Sequence, residues 1–274
     1  MGTLYLVATP IGNLEDLSPR AVRVLRESKL IAAEDTRHTK KLLTHFDIHT
    51  KTTSYYEHNK LRKLDDILAA LAEGDVALVS DAGTPAINDP GYELVRAALA
   101  SGFDVRPVPG PSAPIAALAA SGLPTDAFTY LGYLPHKPSE RRKFVAQIAD
   151  LPYTLIFLES PHRIVDSLAD LLTHLGDRQV CVAREMTKLF EEFWRGPLSG
   201  ALEYFKSQEA RGEFTLVVGG KMKEERSLWS EAELLAAIED GLKLGKSAKE
   251  ISAGLAEQSG WNKKEVYALI NQTK

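Results

Sequence analysis

The chain has 274 residues, 44% of them apolar and 26% charged, with a formal net charge of −4. That length allows two modest domains or one large one, and the composition is that of a soluble globular protein. The charge argues against a generic nucleic-acid binder, no apolar run approaches the ~18 residues of a membrane span, and the single Cys181 excludes an internal disulfide and any cysteine-based zinc site.

Met1-Gly-Thr-Leu-Tyr-Leu begins directly in a strand pattern with no signal-peptide features, which sets the expectation of a cytosolic protein. Strand and helix signals then alternate. TLYLVA precedes SPRAVRVLRES, LIAAED precedes HTKKLLTHF, and TTSYYE precedes NKLRKLDDILAALAEG. VALVSD leads into a helix from Tyr92, and DVRPVPG leads into SAPIAALAAS. This order predicts a largely parallel sheet with helices on its faces. Ser18-Pro19 reads as an N-cap followed by proline in the first helical position, and Ser160-Pro161 reads as a second instance.

Near residue 120 the punctuation of AASGLPTDAFTYLGYLPHKP marks a linker. Five strand-like runs follow: FTYLGYL, YTLIFLES, QVCVARE, FEEFWRG and FTLVVGG. Short or polar segments separate the last three, which predicts some antiparallel pairing. Cys181, within QVCVA, reads as a small core residue. The division is therefore an α/β domain over 1–119, a second α/β domain over 120–222, and a helical, helix-turn-helix-like tail over 223–274. Three tail helices fit 230–244, 247–258 and 262–272, with Asn262 and Glu265 spaced as a capping box. Acidic residues slightly outnumber basic ones in this tail, which favours packing or docking over DNA binding.

Charge is unevenly spread. Residues 37–63 hold seven Lys/Arg against Asp47 and Glu57, together with four of the seven histidines, and HKPSERRK at 136–143 is a second basic segment. These segments fit either one basic face toward a polyanion or ordinary solvated helix faces. Tyr55 and Tyr56, inside the first segment, can stack on bases or belong to the core, and at least one is expected in the core.

Four strand ends share one character: ATPIGNLED (8–16), AAEDTRHT (32–39), SDAGTPAINDPG (80–91) and VPGPSAP (108–114). All are expected at the carboxyl edge of the first sheet, where α/β proteins bind ligands. Their small residues allow close approach and their X-Pro turns stiffen the loops. They carry neither a dinucleotide fingerprint nor a phosphate-loop lysine. A ligand with a positive centre and neutral sugar hydroxyls suits Asp81 better than one gripped by its phosphates.

TPIGNLED, AAEDTRHT, SDAGTPAINDPG, VPGPSA, GYLP, ESPHR and REMTKLFEE resemble, in order, the motifs of the ribosomal small-subunit methyltransferase I family, within the tetrapyrrole (corrin/porphyrin) methylase superfamily. The resemblance implies two α/β domains of the tetrapyrrole methylase type flanking a cleft, a small C-terminal helical unit, a homodimer, and S-adenosylmethionine bound in the cleft. It implies methylation of the ribose 2′-oxygen of a cytidine in the decoding region of 16S rRNA in the small ribosomal subunit. By motif position, Pro10, Asp81, Gly83, Thr84, Ile87, Ser112 and Ala113 would line the cofactor pocket, and Leu131 with the strand after Gly212-Glu213 would cover the adenine. Tetrapyrrole methylation on the same fold, or a non-catalytic ribosome-assembly factor, are the alternatives.

A ribose hydroxyl is a weak acid, so methyl transfer to it calls for a proton acceptor or alkoxide stabilisation. Glu34, Asp35, Glu185 and Lys188 are the candidates for that role, and Arg37, His38, His162 and Arg163 for contacts to RNA. Each has a plainer reading. Glu34 and Asp35 can cap a helix starting near Thr36, Arg163 can pair with Glu159 or Glu185, and His162 can be a surface group.

Overall fold

A computed structural model describes residues 2–222 and 229–272. The chain divides into two compact units, Met1–Lys221 and Met222–Lys274.

In the first unit, strands β1 (Thr3–Val7), β2 (Leu30–Ala33), β3 (Thr52–Ser54), β4 (Val76–Val79) and β5 (Asp104–Val108) form a wholly parallel sheet in the order β3-β2-β4-β1-β5. Its central strands are short apolar runs because both faces are covered. In β4, Ala77 and Val79 face a core shared with α1 (Pro19–Glu27) and α2 (Thr36–His45). Val76 and Leu78 face the opposite core, with α3 (Lys60–Glu73) and α4 (Tyr92–Ala100). Tyr55 is fully buried in that second core while Tyr56 is exposed, so one of the two tyrosines belongs to the core. Since the strands are parallel, their carboxyl ends share one edge, and the four punctuated loops emerge there together.

Strands β6 (Phe128–Tyr133), β7 (Thr154–Glu159), β8 (Gln179–Arg184), β9 (Glu192–Pro197) and β10 (Phe214–Val218) form a second sheet in the order β6-β7-β10-β8-β9. Only β6 and β7 pair in parallel; β10 lies antiparallel between β7 and β8, and β9 pairs antiparallel with β8 across a short polar connection. One face packs against α6 (Pro138–Gln147), α7 (Ile164–Leu175) and α8 (Leu198–Lys206). The other is covered by α5 (Ala113–Ser121), whose Ala117 and Leu118 pack on Ile156, Cys181, Ala183 and Val217. The 119/120 division expected from the sequence falls inside α5.

Two local departures from the expected pattern shape the site. The Ser160-Pro161 helix start is not formed: α7 begins at Ile164, and 160–163 is a turn in which the Arg163 N–H donates to the Ser160 carbonyl. The Ser160 N–H is taken by the Glu159 carboxylate at 2.7 Å, which holds this turn on the strand end. In β6 the register slips between Tyr130 and Tyr133, with Gly132 at φ +65°. Residues three apart on a regular strand face opposite sides; the slip turns both tyrosines to one side.

In the second unit, α9 (Glu231–Lys243), α10 (Ala248–Ser259) and α11 (Lys263–Gln272) enclose Leu234, Ile238, Ile251, Val266 and Ile270. Ser230 and Ser247 each form a capping box. At Asn262 the backbone N–H reaches Glu265, while the side chain accepts from Lys264 N–H.

Candidate active site

The carboxyl-edge loops of the first sheet are laced together. Thr9 and Gly83 exchange backbone hydrogen bonds of 2.9 and 3.0 Å, and Gly83 sits at φ +79°, where glycine is unstrained. The Thr84 hydroxyl donates to the Pro111 carbonyl at 3.2 Å. Asp35 N–H donates to Asp81 at 3.1 Å, and Asp81 N–H donates to Glu34 at 3.3 Å. Ala86 and Asn88 adopt left-handed conformations at φ 68° and 62°, a local strain that the packed surroundings must hold.

Facing these loops, the second sheet closes a cavity of about 400 Å³. Of the residues expected from the sequence, Asp81, Gly83, Thr84, Ile87, Ser112 and Ala113 line it, as does Glu34. The strand after Gly212 contributes Glu213, Phe214 and Thr215. Pro10 is not part of the wall, although its neighbour Ile11 is, and Leu131 packs on the core of the second sheet instead. Asp89, Tyr130, Tyr133, Glu159 and Met186 also line the cavity. Tyr133 owes its place to the slip at Gly132, for which the sequence offers only the glycine itself. Asp89 lay in plain view in the loop; its direction depends on the two left-handed residues before it.

The other candidates are placed around the rim. Asp35 caps α2 through Arg37 N–H at 2.8 Å and pairs with the Arg37 guanidinium at 2.8 Å, which holds its carboxyl well below the usual range. Arg37 and His38 are exposed at the start of α2. Lys188 bridges Glu185 at 2.8 Å and the cavity residue Glu213 at 3.1 Å. Desolvation works against its charge, but the two carboxylates outweigh this and hold its ammonium above the ordinary lysine value. His162 is exposed, whereas Arg163 turns inward onto Glu159 with contacts of 2.8 and 2.7 Å.

The electrostatics of the cavity are one-sided. Five carboxylates line it, those of Glu34, Asp81, Asp89, Glu159 and Glu213, with no Lys, Arg or His among the lining residues. Burial, opposed by the Asp81 N–H hydrogen bond but reinforced by Asp81 and Asp35 charge, pushes the Glu34 carboxyl up. Burial and the charges of Glu34 and Asp81 push Asp89 up to about 6, despite the Ser80 hydroxyl. Burial pushes Tyr130 to about 12. Such a wall repels phosphate and attracts a cation. The start of α5, at Ser112 and Ala113, brings its free N–H groups to the same cavity and suits a carboxylate. Tyr130, Phe214 and Leu158 offer flat apolar surface to a ring. The donor set fits a zwitterionic, phosphate-free ligand carrying an extra positive centre.

Residues 3–202 match the model of the Tetrapyrrole (Corrin/Porphyrin) Methylases. Over 99% of this chain and 95% of the relative, the chain is 48% identical to a ribosomal RNA small subunit methyltransferase I of Halalkalibacterium halodurans. It is 47% identical to the protein of the same name from Escherichia coli O157:H7, over 97% of this chain and 93% of that one. A uroporphyrin-III C-methyltransferase from Thermus thermophilus, solved with S-adenyl homocysteine, shares the fold at a TM-score of 0.54 and 23% identity, covering 80% of this chain and 97% of that one. The chain belongs to the tetrapyrrole (corrin/porphyrin) methylase family and, within it, to the ribosomal RNA small subunit methyltransferase I family.

Proposed function

We propose that the protein methylates the ribose 2′-oxygen of a cytidine in 16S rRNA of the small ribosomal subunit, using S-adenosylmethionine bound in the acid-lined cavity. The observation that carries the reading is the cation-free wall of five carboxylates at the carboxyl edge of a parallel sheet. S-adenosylmethionine supplies a methyl group on a positively charged sulfur and has an amino-acid carboxylate, ribose hydroxyls, an adenine and no phosphate. Glu34, Asp81 and Asp89 would face its positive groups, the start of α5 its carboxylate, and the β6 and β10 side chains its adenine. The acceptor oxygen must then stand opposite the sulfur, roughly 3 Å from the methyl group.

The RNA assignment rests on the names of the relatives and on α2. This helix contains Arg37, His38, Lys40, Lys41 and His45 and no acidic residue, and all five are exposed. Its first turn is tied to the cavity through Asp35 and Asp81, so a phosphate backbone lying on α2 passes the cavity mouth. Glu185 and Lys188 support the opposite rim. We further read the first unit as two α/β halves dividing near 119/120, a homodimer as the working assembly, and the cytoplasm as its place. Among the described residues no helix is long and apolar enough to cross a membrane.

Nucleoside mass spectrometry of 16S rRNA from cells with and without the gene tests the reading. Loss of one 2′-O-methylcytidine supports it; an unchanged nucleoside profile refutes it. Transfer of labelled methyl to precorrins but not to small subunits would favour a tetrapyrrole substrate.

A further inference from the structure

A second cavity, of about 300 Å³, opens beside the acid-lined one, and Ile11 and Ser112 stand in the walls of both. Besides Ser112, its polar lining is Asp16 and Thr187. Asp16 comes from the loop between β1 and α1 and Thr187 from the loop between β8 and β9, so both halves of the first unit contribute.

Neither side chain is spent on the fold. Asp16 ends a single 3-10 turn, Leu14–Asp16, but Asn13 already caps that turn through Glu15 N–H at 3.1 Å. Ser18 caps α1 in the same way, through Ala21 N–H at 3.1 Å. Among the described residues the exposed Asp16 carboxylate makes no hydrogen bond and no ion pair. Thr187 is held at φ 66°, a left-handed conformation that is an outlier for a β-branched residue. Its N–H donates to the Glu191 carboxylate at 2.6 Å, and Lys188 ties the same loop to Glu185 and Glu213 at 2.8 and 3.1 Å. The Thr187 hydroxyl is shielded from water and has no partner among the described residues. A desolvated hydroxyl without a hydrogen bond costs stability, and backbone strain of this kind collects at ligand sites. Rotation about Cα–Cβ breaks no hydrogen bond and brings the hydroxyl to the cavity that Thr187 lines.

We propose that the second cavity receives the base of the acceptor nucleotide, with Asp16 accepting the exocyclic amino N–H of cytosine and the Thr187 hydroxyl donating to its O2 carbonyl. The proposal rests on the methyl-transfer reading above and adds base recognition to it. With the cofactor in the first cavity, the acceptor ribose must lie within reach of the methyl group, and its base continues past the shared wall of Ile11 and Ser112. A free carboxylate repels phosphate and attracts an N–H donor, so a base edge enters here while the RNA backbone keeps to α2. Cytosine presents an amino group where uracil presents a carbonyl, and O2 is common to both. Asp16 therefore tells the two pyrimidines apart, and Thr187 holds either one.

The test uses the full-length protein and small subunits reconstituted with 16S rRNA transcripts that carry cytidine or uridine at the methylated position. Wild type should methylate the cytidine subunits faster in single turnover by about tenfold or more. Asp16→Asn should slow the cytidine reaction by about tenfold and bring the two rates within about threefold of each other, because an amide can accept from cytosine or donate to uracil. Thr187→Ala should slow both reactions by about tenfold with the preference kept, and Thr187→Ser should restore them. Melting of Thr187→Ala should match or exceed wild type, since the lost hydroxyl had no partner. Calorimetric binding of S-adenosylhomocysteine should be unchanged in all three variants.

Equal wild-type rates on the two subunits overturn the proposal, as does a wild-type preference retained in Asp16→Asn. So does a loss of S-adenosylhomocysteine binding in proportion to the loss of rate, which would place Asp16 or Thr187 at the cofactor. A Thr187→Ala rate equal to wild type, or a melting temperature several degrees below it, removes Thr187 from the base site. If the wild-type protein transfers no methyl group even to cytidine subunits, the methyl-transfer reading fails instead.

Discussion

Replacing Arg163 with methionine removes a guanidinium from one of the best-enclosed charges in the first unit. Glu159 is 2% exposed at the end of β7, and Arg163 meets it at 2.8 and 2.7 Å while donating to the Leu134 carbonyl at 2.7 Å. Without the guanidinium, the carboxylate keeps only Ser160 N–H and the Ser167 hydroxyl, and the Leu134 carbonyl loses its donor. Breaking a buried pair from one side costs about 3–5 kcal/mol. Two donors survive and the Arg163 side chain is itself 15% exposed, so the lower end, about 3 kcal/mol, applies. In a unit of this size that corresponds to roughly 6–12 °C in melting temperature. Arg163→Met/Glu159→Gln should recover much of the loss, because both charges leave together. Differential scanning calorimetry of the full chain, following the transition of the larger unit, reads both effects. A single variant melting within about 1 °C of wild type, with RNA affinity and its salt dependence reduced, would refute the internal role and make Arg163 a phosphate contact.

Gly12 lies where the first and second halves touch. An added Cβ would fall 2.9 Å from the Met186 carbonyl and 2.7 Å from the Thr187 hydroxyl, so Gly12→Val should separate these loops and weaken S-adenosylmethionine binding at least about tenfold by calorimetry. Lys40→Glu/Lys41→Glu should leave cofactor binding unchanged while lowering the slope of log affinity for RNA against log salt by roughly 1.4–1.8; an unchanged slope would remove α2 from the RNA surface. Cys181 is fully buried and burial pushes its thiol up, so an aromatic disulfide reagent should label no thiol in the native protein and one after denaturation.

The strands and helices were legible because their signals are local. The apolar runs of β4 and β7 and the 3.6-residue spacing of α3 and α7 each determine an element without reference to the rest. The site was legible in so far as it is made of strand ends: parallel pairing brings Glu34, Asp81, Gly83 and Ser112 to one edge whatever their distance in sequence. What escaped depends on tertiary contact. APIAALAAS is apolar nearly all round, so its pattern does not say which sheet α5 covers, and it covers the second. The turn at 160–163 follows from a buried carboxylate recruiting Ser160 and Arg163, a competition that capping propensity does not register. The facing of Tyr133 follows from one irregular residue pair.

α5 begins at the cavity and ends under the far edge of the second sheet. There Arg195 of β9 donates to the carbonyls of Ala120 at 2.6 Å and Ser121 at 3.2 Å, closing the helix. Its first residues belong to the ligand and its last to a strand residue 74 positions after Ser121. Occupancy of the cavity and adhesion of the two halves are therefore one equilibrium. A ligand at a hundred times its dissociation constant adds about 2.7 kcal/mol against every opening that exposes α5. Amide exchange along β9, which touches no ligand, becomes a gauge of how full the cavity is.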